Sequence, residues 1–508
     1  MPQHDLAAFD DLEDGVPVNA MAGERAILLI RRGDSVAALT HECPHLGLPL
    51  SKGVVQGNML ICAFHHACFD IATGQQAEPP GHGDLTRFAV ELRDGRVLVD
   101  VPEDAPTYPT PSTSRQATDA RRVVVVGAGA AADEAVQTLR EGGFDGAIAM
   151  MSPEDRAPYD RTMLSKAVLA GGKTVDDLTL TDPDRLAELG VTRITGRVTS
   201  VQPGRVTLDD GGHHPWDDLL IAPGGIARRL PVPGADMSGV HTLRSAEEAQ
   251  AIATAVSGAR KVVLIGGGFI GLEGALSLAK RGLEVTVLMR EEVPLARILG
   301  EEVGRAIRAE HEAAGVTFRP GAEIYAITGD DTARAVALKD GTEIPADLVI
   351  MAVGVEPATA GIDGLPLTED GGVAVGRDLS VPGLPGARVL GDCARAPTPF
   401  GPARIEHWRV ACQHGRRAAR EILAAMGKGV APETADIPFF WTALARQYRY
   451  LGHAGEWDKI VFDGDPAGPF LARYLKDGHV VAALGAGRDA DLAALHLEMR
   501  AAGGPVPA

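Results

Sequence analysis

Short alternating apolar and polar segments open the chain, and longer unbroken apolar runs follow after residue 120. In the first part, four segments are rich in β-branched and other apolar residues and are bounded by turn residues, which is typical of β-strands. These predicted strands cover residues 26–30, 35–39, 59–62 and 96–101. The pattern predicts an all-β domain over residues 1–105.

Two of the later apolar runs lead directly into a glycine-rich turn and then a helical pattern. The turns carry the patterns GxGxxA and GxGxxG, at residues 127–132 and 266–271. An unbroken apolar strand suits a parallel sheet covered on both faces, and the glycines let a pyrophosphate approach the N-terminus of the helix. Two such units in one chain indicate two dinucleotides, and a flavin with a nicotinamide is the natural pair.

Composition and charge narrow the class of protein. At 508 residues the chain has room for three or four domains, and residues 106–120, rich in Pro, Ser and Thr, are predicted to form a semi-rigid linker. The formal net charge of −19 argues against nucleic acid or an anionic membrane surface as a partner. No apolar run has the length of a membrane span, and the acidic N-terminus is unlike a signal peptide.

The five cysteines include no CxxC pair, which argues against a disulfide framework and a dithiol oxidoreductase. A reducing cytoplasm is therefore the expected compartment. Two of the five belong to a distinctive pattern: Cys43-Pro-His45, then sixteen residues, then Cys62-Ala-Phe-His65. The other three are expected to be packing residues: Cys68, Cys393 and Cys412.

This double Cys-His pattern resembles the Rieske pattern, in which two loops hold a [2Fe–2S] cluster. The resemblance implies that Cys43 and Cys62 bind one iron, while neutral His45 and His65 bind the other. Replacing two thiolates by imidazoles raises the potential to roughly −150 to +300 mV, against about −400 mV for plant-type ferredoxins. The same donors also suit a Cys2His2 zinc site, although a one-residue gap in the first pair is unusual for zinc.

Two departures from the Rieske pattern change the expected chemistry. High-potential respiratory Rieske proteins carry an extra cysteine in each ligand loop, joined as a disulfide, whereas here only Cys68 is extra. We therefore expect a potential toward the lower end of the range. His66 follows His65 directly, where a glycine is frequent in the family, and is expected to be a neighbour of the cluster rather than a ligand.

From residue 121 to about 500 the chain resembles flavin-dependent ferredoxin reductases and apoptosis-inducing-factor-like proteins. The most specific match is the run from Pro158-Tyr159-Asp160-Arg161 to Lys166. The other matches are Ala222-Pro223-Gly224, Leu243-Arg244, Ala352-Val-Gly354-Val-Glu-Pro357, Gly391-Asp392, Arg404-Ile-Glu406-His407-Trp408 and Pro438-Phe-Phe-Trp441. Together with the N-terminal pattern, they identify the chain as resembling a Rieske-fused branch of that family.

The resemblance implies a multidomain fold. An all-β Rieske [2Fe–2S] domain is followed by a two-dinucleotide α/β flavoprotein, with glutathione-reductase-like FAD and NAD(P) domains, and by a small α+β C-terminal domain. The expected FAD domain is split, and its two segments enclose the nicotinamide domain. The expected bounds are 121–245 and 366–430 for FAD, 246–365 for NAD(P), and 431–508 for the C-terminal domain.

The same resemblance assigns residues to the cofactors. Residues expected to bind FAD are Gly127, Gly129, Ala132, Glu154, Arg161, Lys166, Ala222, Gly224, Arg244, Gly391, Asp392, Glu406, His407, Trp408 and Trp441. Glu154 is included because Pro153 stands where an acid normally binds the adenosine ribose. Residues expected around the nicotinamide nucleotide are Gly266, Gly268, Gly271, Glu273, Arg290 and Gly354.

Four residues are expected to act at the reacting centre. Lys166 and Glu273 would pair beside the isoalloxazine, where a cation favours the reduced, anionic flavin and the carboxylate holds the ammonium in place. Trp408 and Trp441 would line the flavin and nicotinamide site. Hydride transfer needs little else from the protein, because positioning does most of the work.

The choice of nicotinamide depends on the end of the strand that follows the second turn. Met289 stands where an acid would bind the NADH ribose, and Arg290 and Arg297 suit the 2′-phosphate of NADPH. Glu291 and Glu292, however, would oppose a phosphate. NADH is therefore slightly favoured.

The expected function is an NAD(P)H-dependent flavoprotein oxidoreductase that reduces its own Rieske cluster and then an external acceptor, such as a ferredoxin, an oxygenase, a cytochrome or a small molecule. One alternative is a slow-turnover interaction switch like apoptosis-inducing factor. Another treats the N-terminal domain as resembling the small subunit of nitrite reductases, which would need a partner carrying sirohaem. The terminal acceptor and the oligomeric state stay open at this point.

Overall fold

The N-terminal domain is built from two antiparallel sheets. The computed structural model describes residues 3–81, 83–108, 120–429 and 436–508, so most of the predicted linker lies outside the described residues. The six-stranded sheet has the order β1-β10-β9-β4-β3-β2, and the four-stranded sheet has the order β5-β6-β7-β8. The strands are β1 (Gln3–Ala8), β2 (Val18–Ala22), β3 (Arg25–Arg32), β4 (Ser35–Thr40), β5 (Val54–Gln56), β6 (Met59–Ile61), β7 (Cys68–Asp70), β8 (Gln76–Glu78), β9 (Arg87–Arg93) and β10 (Arg96–Asp100). The predicted all-β domain is confirmed.

A five-stranded parallel sheet follows, in the order β13-β12-β11-β17-β29. Its central strand, β11, runs into α1 as predicted. The four valines of this strand are buried, as expected for a parallel sheet that is covered on both faces. The elements of this part are β11 (Arg122–Val126), α1 (Ala130–Glu141), β12 (Ala147–Ser152), α2 (Pro183–Glu188), β13 (Val191–Thr195), β14 (Val198–Gln202), β15 (Arg205–Leu208), β16 (His213–Pro215), β17 (Asp218–Ile221) and β18 (Gly225–Ala227).

A second parallel sheet repeats this plan in the order β19-β26-β20-β21-β22. Its elements are β19 (Val240–Thr242), α3 (Ala246–Ala255), β20 (Lys261–Ile265), α4 (Phe269–Ala279), β21 (Glu284–Leu288), α5 (Ala296–Leu299), α6 (Glu301–Ala313), β22 (Val316–Arg319), β23 (Ile324–Gly329), β24 (Ala333–Leu338), β25 (Glu343–Pro345), β26 (Leu348–Met351) and β27 (Val355–Pro357). The sheet takes in β19, which precedes the expected start of this unit at residue 246. The short strand pairs with β26, whose four residues are all buried.

The chain then returns to the first parallel sheet before it ends in a third unit. The returning elements are β28 (Val373–Ala374), β29 (Ala387–Val389), β30 (Ala394–Thr398), β31 (Gly401–Arg404) and α7 (Trp408–Ala425). The last unit is an antiparallel sheet with one helix: β32 (Phe439–Ala443), β33 (Gln447–Gly452), β34 (Lys459–Gly464), β35 (Phe470–Lys476), β36 (His479–Ala486), α8 (Asp489–Ala502) and β37 (Val506–Pro507). Among the described residues, no helix combines the length and the apolar character needed to cross a bilayer.

The two glycine-rich turns have the same geometry. Gly127 and Gly266 have φ values of +108° and +119°, and a Cβ on either would lie 2.1 or 2.2 Å from the carbonyl oxygen of Ala222 or Ala352. Only glycine fits at both positions, because the left-handed backbone and the close carbonyl exclude a side chain. Each turn brings a helix N-terminus to the carboxyl edge of its sheet, where dinucleotides bind in this fold.

Candidate redox site

The four expected cluster ligands come together from the loops after β4 and β6. The Nδ1 atoms of His45 and His65 are 3.1 Å apart, and the two rings stand nearly perpendicular at 86°. The thiols of Cys43 and Cys62 share a hydrogen bond. In the part of the chain that the structure describes, no three His, Cys, Asp or Glu side chains are grouped as ligands of one ion. The donors form an imidazole pair and a thiol pair, which is the set that two irons of a Rieske cluster require.

Electrostatics act differently on the two thiols and on His65. The hydrogen bond from Cys43 lowers the pKa of Cys62, and the same bond raises the pKa of Cys43. Burial lowers the pKa of His65 to about 2, and the positive charges of His45 and Arg449 act in the same direction. A thiolate and a neutral imidazole are the forms that bind metal, so little proton release opposes binding at His65.

A central cavity lies between α1, α4, α7 and β32. Thirteen of the expected residues line it: Gly129, Arg161, Lys166, Ala222, Gly224, Arg244, Glu273, Gly391, Asp392, Glu406, His407, Trp408 and Trp441. A Cβ on Gly129 would meet nothing within 4 Å, so the space at the N-terminus of α1 is open to a ligand. The buried Nδ1 atom of His407 has no hydrogen-bond partner among the described residues. Open space at a helix N-terminus and an unsatisfied polar atom both fit a bound FAD.

Three expected FAD residues lie outside this lining. Gly127 shapes the turn, and Ala132 is fully buried in α1. Glu154 lies just beyond the end of β12, where its carboxylate accepts hydrogen bonds from Arg161 at 2.6 Å and from the Tyr159 hydroxyl at 2.7 Å. The carboxylate thus orients Arg161, which does line the cavity.

Lys166 and Glu273 meet inside the cavity. Lys166 lies on a π-helical turn, Leu164–Val168, and its Nζ is 3.0 Å from Oε2 of Glu273. Two further hydrogen bonds hold the carboxylate, from Ser165 Oγ to Oε2 and from Thr442 Oγ1 to Oε1, each at 2.6 Å. Glu273 is only 6% exposed. The ammonium is therefore fixed at the cavity wall by a saturated buried carboxylate.

Trp441 joins the central cavity to the ligand loops of the N-terminal domain. Its indole lines the cavity, and its ring centroid is 4.6 Å from that of His65 and 5.6 Å from that of His45. Both contacts are edge-on, at interplanar angles of 63° and 68°. The sequence suggested only a lining role for this tryptophan. A single side chain thus touches both expected histidine ligands and the cavity that fits FAD.

A second cavity opens at the carboxyl edge of the second parallel sheet. Four expected residues line it: Gly266, Gly268, Arg290 and Gly354. Glu291 and Arg297 line it too, and their charged groups are 3.6 Å apart. Gly271 packs beneath the turn, where a Cβ would lie 2.4 Å from the carbonyl oxygen of Gly266. This cavity has the glycine turn and the charged rim of a nicotinamide nucleotide site.

Comparison with known proteins defines the class. Residues 121–415 match the family described as pyridine nucleotide-disulphide oxidoreductase, and residues 3–89 match the Rieske [2Fe-2S] domain. The chain therefore belongs to the pyridine nucleotide-disulphide oxidoreductase family and carries a fused Rieske domain. It is an oxidoreductase that uses FAD, a nicotinamide nucleotide and a [2Fe–2S] cluster.

Particular relatives match both the whole chain and its reductase part. The chain is 31% identical over 491 residues to human "Apoptosis-inducing factor 3", covering 93% of this chain and 80% of that protein. It is 35% identical over 373 residues to the "5,5'-dehydrodivanillate O-demethylase ferredoxin reductase subunit" of a Sphingobium species, covering 71% of this chain and 88% of the other. The structure of a covalent putidaredoxin reductase–putidaredoxin complex matches with a TM-score of 0.69 at 29% identity, covering 75% and 93% of the two chains.

Proposed function

We propose that this protein oxidises NAD(P)H with its FAD and passes the electrons singly to its own Rieske cluster, which serves an external acceptor such as a ferredoxin, an oxygenase, a cytochrome or a small molecule. The observation that carries the proposal is Trp441, which contacts the central cavity and both expected histidine ligands. FAD accepts a hydride as an electron pair and can release electrons one at a time.

The side chains of the central cavity prepare this reaction. Lys166 places a fixed positive charge where a reduced flavin would need one, and Glu273 prevents the ammonium from turning away. Arg244 and Asp392 form an ion pair in the same lining, which suits a cofactor with both phosphate and hydroxyl groups. Trp441 lies between the cavity and the ligand loops, where its indole contacts the rings of His45 and His65.

Relatives support electron transfer over a signalling role. The proteins that match the reductase part are named as ferredoxin reductase components of oxygenase systems, and one solved relative is a complex of a reductase with putidaredoxin. The interaction-switch alternative is therefore not favoured. None of the five cysteines, all of which lie in the described part of the chain, forms a disulfide, which is consistent with a protein that acts in a reducing cytoplasm.

An anaerobic titration with NADH tests whether both the FAD and the cluster accept electrons. Because FAD takes two electrons and the cluster one, full reduction should consume about 1.5 equivalents of NADH per chain. An endpoint at about one equivalent, with the cluster still oxidised, would contradict the proposal.

Replacing Lys166 with methionine should slow flavin reduction by NADH about tenfold, because about 1.4 kcal/mol of charge stabilisation is lost. Stopped-flow absorbance of the flavin measures this rate. Lys173→Met is the matched control, since Lys173 is an exposed lysine seven positions along the chain and does not line the cavity. Equal rates for Lys166→Met and the control would show that the ammonium does not act on the flavin.

We also propose that NADH is preferred modestly over NADPH because Glu291 pairs with Arg297 and repels a 2′-phosphate. Glu291→Gln should shift the ratio of kcat/KM values toward NADPH by about fivefold, because it removes one like charge and frees Arg297. Glu292→Gln is the control, since Glu292 does not line the second cavity. A shift of the same size in both variants would contradict a specific role for Glu291.

A further inference from the structure

The second ligand loop, residues 62–66, is held by side chains from the reductase part of the chain. Arg449 Nε donates to the carbonyl oxygen of Phe64 at 2.7 Å, and Arg409 Nη2 donates to that of His66 at 3.1 Å. His496, on α8, meets His66 with the two Nδ1 atoms 2.8 Å apart. Three separate elements, β33, α7 and α8, therefore fix a loop that carries expected ligand His65.

His66 is the most constrained residue of this loop. Its φ of +59° is left-handed, a region that is uncommon for residues other than glycine, although asparagine, aspartate and histidine adopt it more often than the rest. The side chain is completely buried. The imidazole stacks on Phe439 with ring centroids 3.9 Å apart and a tilt of 20°. A bulky residue persists in this backbone region only when its surroundings hold it there. Here the surroundings are His496 and Phe439, both outside the N-terminal domain.

A buried ion network continues the contact beyond the loop. Arg409 is fully buried and donates to Glu78 Oε2 at 2.5 Å, to the carbonyl oxygen of Pro79 at 2.8 Å and to that of Ile437 at 3.1 Å. Glu78, from the N-terminal domain, also pairs with Gln413 and Arg500. Separating the domains would break the bonds to Glu78 and Pro79 together, which makes a loosely attached N-terminal domain costly.

We propose that Arg409, Arg449 and His496 are positioning residues that keep the second ligand loop docked against Trp441 throughout turnover, so that the N-terminal domain does not swing away between electron transfers. This inference rests on the proposed electron route, and it specifies the docked arrangement of the domains in which that route operates. Electron transfer within the chain then needs no diffusive search by a tethered domain. It should be insensitive to solvent viscosity.

Hydrogen exchange on the full-length holoprotein tests the docking without using activity. His496→Leu should raise exchange in residues 62–66 and in β32 together, by about tenfold or more, because the loop loses a buried partner. His66→Gly removes the same contact from the other side while relieving the backbone, so it should give a similar increase even if His496→Leu folds poorly. The double variant should add little to either. His479→Leu is the control, since His479 is an exposed histidine of the same C-terminal unit.

A second measurement follows cluster reduction by NADH in buffers of increasing glycerol content. The native protein should show no viscosity dependence, whereas His496→Leu should become slower as viscosity rises. Slowing of the native protein in proportion to viscosity, or exchange unchanged in both His66 and His496 variants, would overturn the proposal. A third outcome separates the two proposals. If the native protein shows slow hydrogen exchange in residues 62–66 but NADH never reduces its cluster, the proposed function is wrong and the docking proposal stands.

Discussion

Replacing Trp441 with alanine should slow reduction of the cluster about a hundredfold, while reduction of the flavin by NADH should slow far less. The indole fills the space between the central cavity and the rings of His45 and His65. Alanine would leave a gap there that water can enter, and it would remove the packed contact along which we propose that electrons pass. Lys166 and Glu273 are untouched, so flavin reduction should keep most of its native rate.

Two variants separate this effect from general damage. Trp441→Phe keeps a ring in the same place and should retain most of the native rate. Trp457→Ala removes a tryptophan from the same C-terminal unit that packs on Tyr474 and lines neither cavity, and it should not alter electron transfer. Native cluster reduction in Trp441→Ala would show that electrons take another path.

Replacing Cys62 with alanine should remove the cluster and leave the flavin in place. Cys62 is one of two thiols that would hold the same iron, so iron should fall from about two atoms per chain to nearly none. NADH should still bleach the flavin, since the central cavity draws no residue from the thiol pair. Iron analysis, together with the low-temperature electron paramagnetic resonance spectrum, measures the loss.

Cys68→Ala is the matched control for this variant. Cys68 is fully buried on β7 and packs with Ile61 against Ala493 and Leu497 of α8, so it serves packing rather than ligation. Its alanine variant should keep the full iron content and lose only some stability, about 1 kcal/mol as for a small core truncation. Iron retained in Cys62→Ala, or zinc in place of iron in the native protein, would refute the ligand assignment.

Local patterns made the fold predictable, and they also predicted that the two Cys-His segments would lie together. The buried valines of β11 and the two glycine turns specify a strand–turn–helix unit within about ten residues, and the structure contains that unit twice. The four strands predicted in the N-terminal domain, β3, β4, β6 and β10, begin and end within two residues of the prediction, whereas the other six strands that the structure describes in the domain were not predicted. Each of these features depends on neighbours along the chain, so spacing alone can reveal them.

Contacts between distant segments were not predictable in this way. Thr442 holds Glu273 from 169 residues away, and Arg409 reaches the carbonyl of His66 across 343 residues. Neither partner belongs to a recognisable short motif, because surface complementarity between folded units decides such contacts. The contact of Trp441 with the two histidines was missed for the same reason. The motif placed it near the cofactor, and only the docked N-terminal domain reveals its contact with the histidines.

Glu154 stays a prediction as an acceptor for the adenosine ribose. The prediction assumed that an acid near the end of β12 would face the cofactor, as in other dinucleotide folds. In the structure, Arg161 and Tyr159 donate hydrogen bonds to the two carboxylate oxygens of Glu154. A ribose hydroxyl bound by Glu154 would therefore share the carboxylate with these two residues of the 158–161 segment.

Rapid mixing of the native protein with NADH under anaerobic conditions tests the central claim most directly. Flavin absorbance and the electron paramagnetic resonance signal of the reduced cluster are followed in the same time series. We expect the flavin to bleach first and the cluster signal to follow within the same turnover, at a rate independent of protein concentration. A bleached flavin beside a cluster that stays oxidised would contradict electron transfer between the two centres.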